Sequence, residues 1–218
     1  MTDKMIYIDI KPVPLHGHLV LEDHAKGLII FSFSGCHNLY NPRYKFIAEI
    51  LHNEGFGTLL TDLLTDDENI DIKNRFNIEL LAGRLLSVMG WIKTEKQLKT
   101  LPAGLFGAGT GAASAIQAAS LCSSSIRAIV MYSGRPDLGR TYLSVLKLPV
   151  LLIVGEMDKL ILELNRESYS LLKCTKSMEV IPNASHLFEE SGVLEQAARI
   201  AGGWFQDHLT AGERAITG

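Results

Sequence analysis

Two apolar runs late in the chain end in residues that hold or move a proton. LLIV, residues 151–154, runs into Gly155-Glu156-Met157-Asp158, and SMEVIP, residues 177–182, runs into Asn183-Ala184-Ser185-His186. If both runs are neighbouring strands, a carboxylate and an imidazole arrive at one edge of a sheet, the edge where ligands and catalytic groups collect in open α/β folds. An aspartate that accepts a hydrogen bond from one imidazole nitrogen fixes the tautomer and leaves the other nitrogen free as a general base. Taken singly, Asp158 reads as a cap for the helix after it and His186 as an ordinary loop histidine. Their order behind a third feature gives the pair its weight.

That feature is GLFGAGTGAAS, residues 104–114. A short apolar run enters a glycine turn, and the turn opens a stretch of small helix formers. One reading is a phosphate cradle: Gly107, Gly109 and Ala112 satisfy GxGxxG/A, with helix N-terminal amides to hold a pyrophosphate. Two features count against it. The turn follows several strands instead of opening the fold, and the next strand ends MYSG, without the acidic residue that binds a ribose. The other reading is the sharp elbow G-x-S-x-G, here Gly107-Ala108-Gly109-Thr110-Gly111, whose partners follow in the order acid, then histidine. Asp158 and His186 stand in that order.

The surrounding elements fit the elbow. MIYIDI and LHGHLVLED read as the arms of a hairpin, and GLIIFSFS and FGTLLTDLL as buried strands. NPRYKFIAEILHNEG reads as a helix capped by Asn41, with Pro42 at its first position, Gly55 at its stop and Phe46, Ile47, Ile50 and Leu51 on one stripe. The acidic stretch TDDENIDIKN leads into a helix with Ile78, Leu81, Leu85, Val88 or Met89, and Ile92 inward. Strands AGLFG, IRAIVMYSG, PVLLIVGEMD and SMEVIP then alternate with helices near 110–121 and 161–173, a short helical piece after Arg135, and a final helix burying Leu194, Ala197, Ala198, Ala201, Trp204, Phe205 and Leu209. Continuous apolar strands alternating with amphipathic helices predict a largely parallel sheet covered on both faces.

With these motifs in place the chain resembles a compact α/β-hydrolase of the dienelactone hydrolase-like branch. The likeness spans about residues 25–209 and rests on NPRY, TLLTDLLT, RFNIELLAGRL, GLFGAGTGAAS, SGRPDL, LLIVGEMDKLILELN and IPNASHLFEE. It implies an eight-stranded sheet with only the second strand antiparallel, a triad at the C-terminal edge, and hydrolysis of a small ester, lactone or thioester. Asp158 and His186 match the family's acid and base. The family's Ser or Cys nucleophile falls on Gly109, which has no Oγ or Sγ for an acyl-enzyme. The family's His-Gly after the third strand is also absent. Phe33-Ser34-Gly35-Cys36-His37 stands there, so the oxyanion donors expected are the Thr110 amide and an amide of Ser34 or Gly35.

Three accounts follow for Gly109: a retired relative that binds a ligand, a chain altered at this position, or a slow hydrolase in which His186 and Asp158 activate water directly. Other residues have weaker claims. Arg43 and Arg135 follow strand ends and offer contacts to an anionic substrate. Cys36-His37 suggests a thiol nucleophile, but adjacent residues on a strand end point apart. Ser114 reads as a packing residue, and His16 and His18 as an exposed hairpin edge lacking a third zinc ligand.

The 218 residues are 47% hydrophobic and 21% charged, enough for one full core and one domain spanning 1–218. Only about 15 residues separate MYSG from PVLLIV, too few for a sizeable lid. A net charge of −3 gives no broad attraction to nucleic acid or anionic membrane, and no run reaches the roughly 18 apolar residues of a membrane helix. Three widely spaced cysteines and a start without a signal-peptide pattern fit a cytoplasmic protein. The partner expected is a small-molecule acyl substrate or ligand, with no cofactor and no metal. The sequence is also compatible with a homodimer.

Overall fold

The computed structural model describes residues 1–33, 35, 38–122 and 126–210. Strands β1 (Thr2–Ile8) and β2 (Leu15–Leu21) form an antiparallel hairpin with Thr2 opposite Leu21 and Ile8 opposite Leu15. β2 also runs antiparallel to β4 (Gly57–Thr61). β3 (Leu28–Ser32), β4, β5 (Ala103–Ala108), β6 (Ile126–Tyr132), β7 (Val150–Gly155) and β8 (Lys176–Ile181) are joined by parallel ladders. The eight strands lie in the order β1-β2-β4-β3-β5-β6-β7-β8, so β2 alone runs against the rest.

Helices α1 (Pro42–Asn53) and α7 (Val193–Leu209) cover one face of the sheet, and α3 (Ile78–Thr94) and α4 (Gly111–Leu121) cover the other. Two large cores result. Leu28 and Ile30 of β3 pack with Leu81, Leu85 and Ile116, while their neighbours Ile29 and Phe31 pack with Ile47, Leu51 and Phe205. Side chains alternate across a strand, so a strand buried on both faces must be apolar at every position. This is why β3 reads LIIFS without a polar alternation. α5 (Arg140–Leu143) follows a 3-10 turn at Pro136–Gly139, and α6 (Lys159–Leu171) packs Ile161 and Leu162 against Val154 of β7.

α1 begins as its sequence predicts: Asn41 caps it by accepting from the Arg43 amide, and Pro42 takes the first position. Its buried stripe is Ile47, Ala48, Ile50 and Leu51, whereas Phe46 stands 38% exposed. The acidic stretch before α3 is more structured than the sequence reading foresaw. It forms α2 (Asp66–Ile70), started by a reciprocal capping box between Thr65 and Glu68, and then a 3-10 turn at Ile72–Phe76. This strap stays in place because Arg84 of α3, whose side chain is 4% exposed, donates to the Glu68 carboxylate at 2.6 Å. Among the described residues no helix is long and apolar enough to cross a membrane.

Candidate active site

The glycine turn joins the end of β5 to the start of α4. Gly109 has φ +57, a left-handed backbone that glycine adopts without the steric cost an L side chain meets. Its carbonyl accepts from the amides of Arg135, at 2.9 Å, and Ala112, at 3.3 Å, which ties the turn to the loop after β6. Gly111 lets α4 start directly against β3, because a Cβ there would lie 2.0 Å from the Ser32 carbonyl oxygen. Thr110 is 5% exposed and its hydroxyl donates to the Arg75 carbonyl at 2.6 Å, so the strap after β4 crosses beside the turn. The Thr110 amide stands where a helix leaves its first N–H groups without intrahelical acceptors, and the helix dipole favours negative charge there.

The acid and the histidine meet. His186 Nδ1 lies 2.5 Å from Asp158 Oδ2, with the Asp158 side chain 14% exposed and the His186 side chain 52% exposed. Asp158 also accepts from the Ile161 amide through its other oxygen, at 3.4 Å, so it caps α6 and binds the imidazole at once. The loops carrying the pair are stitched together. The Met157 amide donates to the Ala184 carbonyl at 2.9 Å, and the Asn183 amide donates to the Glu156 carboxylate at 3.1 Å. A side chain at Gly155 would break this approach, because its Cβ would lie 2.4 Å from the Ala184 carbonyl oxygen. On the far side of the loop, both Glu190 carboxylate oxygens accept from the Ser185 amide, and the Ser185 side chain, followed by the backbone amides of Glu190 and Ser185, holds the Glu190 carboxyl below its ordinary value.

A third side chain that sequence reasoning missed belongs to this cluster. Ser133, the residue after β6, is 4% exposed and its Oγ lies 3.0 Å from His186 Nδ1. The same hydroxyl donates to the His186 carbonyl at 3.1 Å. Ala108 stands opposite Tyr132 in the ladder, so Gly109 and Ser133 follow neighbouring strand ends. The glycine turn, Ser133, His186 and Asp158 thus share the C-terminal edge of β5 to β8. No local sequence signal marks Ser133, since its partner lies 53 residues away.

The remaining candidates stand as follows. Arg135 is held by Asp137 in a two-pronged ion pair, with both contacts at 2.8 Å, and this pairing keeps its guanidinium pKa raised. Arg43 reaches Glu189 at 3.7 Å. Gly35 lies beside Asn69 of α2, while Ser34, Cys36 and His37 lie outside the described residues. Ser114 is fully buried and hydrogen-bonded to Ser32 Oγ at 2.9 Å and to the Gly111 carbonyl at 3.0 Å, which makes it a packing residue. His18 pairs with Asp3 at 2.7 Å and His16 packs edge-on against Tyr7. Among the described residues no cluster of His, Cys, Asp and Glu is arranged to hold a metal ion.

Comparison with known proteins gives the same architecture. The crystal structure of a dienelactone hydrolase from Anabaena variabilis superposes with a TM-score of 0.91 at 37% identity, covering 95% of this chain and 98% of that one. Est1E from Butyrivibrio proteoclasticus (TM-score 0.76, 17% identity, 93% and 98% covered) shares the fold. So does an esterase of Pyrococcus furiosus (TM-score 0.75, 18% identity, 95% and 92% covered). A Mycobacterium tuberculosis protein named "Putative phosphoribosyl transferase" is 42% identical over 209 residues, 96% of this chain and 47% of that protein. The chain therefore spans about half the length of the curated relatives it matches. No protein-family model matches the chain.

Proposed function

The chain belongs to the dienelactone hydrolase family of α/β-hydrolases, and from that premise we propose that its site handles a small, uncharged carboxylic ester, lactone or thioester. The observation that carries the proposal is the Asp158–His186 contact at the edge of the sheet beside the glycine turn. Asp158 and Ser133 occupy the Nδ1 side of the ring, which leaves Nε2 as the proton acceptor. Gly109 marks the position of the family's nucleophile, and its φ of +57 gives the backbone an elbow requires.

With no side chain at position 109, the reaction open to this chain is a single displacement. His186 Nε2 takes a proton from a water molecule as its oxygen attacks the substrate's carbonyl carbon. The oxyanion that forms is held by the Thr110 amide, with Gly35 the second candidate donor. When the tetrahedral species collapses, the C–O or C–S bond to the leaving group breaks, and the imidazolium returns its proton to the departing alkoxide or thiolate. General-base assistance contributes about 10²–10⁴-fold and one oxyanion donor about 10²–10³-fold, so the expected enzyme is slow but not inert.

The substrate is expected to be neutral because the two arginines that follow strand ends already have carboxylates, and Arg75, beside the glycine turn, turns its guanidinium to the Asn69 side chain and carbonyl. Arg135 holds Asp137 and Arg43 faces Glu189. The relative named for phosphoribosyl transfer extends over a length this chain does not share, and an acid–histidine pair supports acyl chemistry instead. Gly109 itself favours a second reading, a ligand-binding protein on a hydrolase scaffold. Short p-nitrophenyl esters separate the two when offered to the chain and to Gly109→Ser, each with and without His186→Ala. Turnover that depends on His186, in either form, supports the hydrolase reading. The binding reading stands if neither form turns over.

A further inference from the structure

We infer that Ser133 is a positioning residue for His186, held in a strained backbone for that purpose. The inference rests on reading His186 as the base of the site. Ser133 has φ +44, a conformation that L residues with a Cβ avoid. The strain has a geometric result. It turns the hydroxyl of a buried residue so that one oxygen meets both the ring and the backbone of the same histidine, Nδ1 at 3.0 Å and the carbonyl at 3.1 Å.

The direction of the two bonds follows from the groups present. The carbonyl only accepts, so the Ser133 hydroxyl proton goes to it. The Ser133 oxygen then has lone pairs left for the ring, and the Nδ1–H is shared between Ser133 Oγ and Asp158 Oδ2. Ser133 cannot serve as a nucleophile here, because the nitrogen facing it carries the proton. Its effect is to fix the side-chain torsions of His186, whose ring is half-exposed and would otherwise turn about its own Cα–Cβ bond. Asp158 alone restrains the ring at one point, while Ser133 links the ring to its own main chain.

The test uses the full chain with ring-¹⁵N-labelled histidine, the His186 signals being identified by their loss in His186→Ala. Wild type should show Nδ1 as the protonated nitrogen. Ser133→Ala and Ser133→Gly should each raise the fraction of the Nε2–H tautomer about two- to tenfold, the factor set by one neutral hydrogen bond. The two variants should differ in stability, with Ser133→Gly at least as stable as Ser133→Ala, because only alanine keeps a Cβ at positive φ. In the Gly109→Ser background both should lower kcat by a similar factor and leave KM unchanged. A tautomer balance unmoved in both variants, or a kcat that tracks melting temperature instead of the hydroxyl, overturns the inference. If neither the chain nor Gly109→Ser turns over while the balance shifts, the hydrolase reading fails and the positioning role stands. If Gly109→Ser is active and indifferent to Ser133, the positioning role fails alone.

Discussion

Gly109→Ser and Gly109→Ala separate the geometry of the turn from its chemistry. With φ +57 at this position, a Cβ is forced into the left-handed region, which costs an L residue about 1–2 kcal/mol. Replacing glycine also removes freedom from the unfolded chain, which offsets about 0.4–1 kcal/mol. The net loss is roughly 1 kcal/mol, or a fall in Tm of about 2–4 °C for a chain of this size. Serine and alanine carry this cost alike, so thermal denaturation of both variants measures the turn. Activity should then divide them. Serine supplies an oxygen at the strand end neighbouring Ser133, whose partner imidazole Asp158 already holds, and a positioned general base contributes at least about 10²-fold to attack by such a hydroxyl. Hydrolysis of p-nitrophenyl acetate, followed by the absorbance of released nitrophenolate, should therefore rise at least about 10²-fold in Gly109→Ser over Gly109→Ala. An unchanged or raised Tm in Gly109→Ala refutes the strained elbow. A lowered Tm in both with no gain for serine refutes the assignment of position 109 to the nucleophile.

Three further outcomes follow from the same contacts. Asp158→Asn, in the Gly109→Ser background, should lower kcat about 10²–10⁴-fold by presenting a donor to Nδ1, yet cost less than about 1 kcal/mol in urea denaturation, because asparagine caps α6 as well as aspartate does. Asp137→Asn should release the Arg135 guanidinium and raise kcat/KM for an anionic hemisuccinate ester over a neutral ester about two- to fivefold, the scale of one partly exposed ion pair. Glu68→Gln should destabilise the protein by about 1.5–3 kcal/mol at pH 7 by leaving the buried Arg84 without a charged partner. Burial works to raise the Glu68 carboxyl, but the Thr65 donors and Arg84 outweigh it and hold the carboxyl below its ordinary 4.5. A carboxyl lowered in the folded state stabilises above its unfolded value and loses that contribution as pH falls through the folded one. The gap between Glu68→Gln and wild type, measured by urea denaturation, should therefore close below about pH 4.5.

What the sequence disclosed and what it hid have physical reasons. β3, β4, β5 and β7 are buried at every position, so runs such as LIIFS and VLLIVG stand out without periodicity analysis, whereas the edge strand β8 buries only Ile181. Asp158 is legible because it follows such a run within a few residues, and His186 because it follows the next strand in the β-α order, which fixes the sheet edge both reach. Ser133 was not legible. Its relevance depends on β6 lying beside β7, and on a positive φ that no residue type in YSG announces. The strap at 66–76 carried a readable signal, the Thr65-Asp66-Asp67-Glu68 capping box, which the acidic composition of the stretch obscured. Arg135 looked free because nothing in RPD shows that the 3-10 turn at Pro136–Gly139 brings Asp137 back onto the guanidinium. Helical spacing puts Phe46 on the inward stripe, but the buried arc of α1 is centred on Ile47 and Leu51 and leaves it at the margin.

The distribution of strain bears on whether the site is working or retired. Among the described residues, the non-glycine positions with positive φ are Ser133, Asn183 and Phe188. One touches His186 and the other two flank it in the loop, so all the strain of this kind converges on a single imidazole. Such positions cost on the order of 1–3 kcal/mol each and persist only where the surroundings impose them. Phe188 is imposed by packing against Tyr132, with ring centroids 4.6 Å apart, which anchors the end of the histidine loop. A scaffold that merely bound a ligand would need a hydrogen-bond donor or acceptor at this place. A ring whose Nδ1 is held by two acceptors at once has its tautomer and orientation fixed, which suits an Nε2 that accepts a proton in a defined direction. The His186 side chain is half-exposed and meets solvent, the source of the water that the proposed reaction needs. The strain and the double restraint therefore favour the proposed hydrolase, with water as the nucleophile in place of a side chain at Gly109, over the ligand-binding reading.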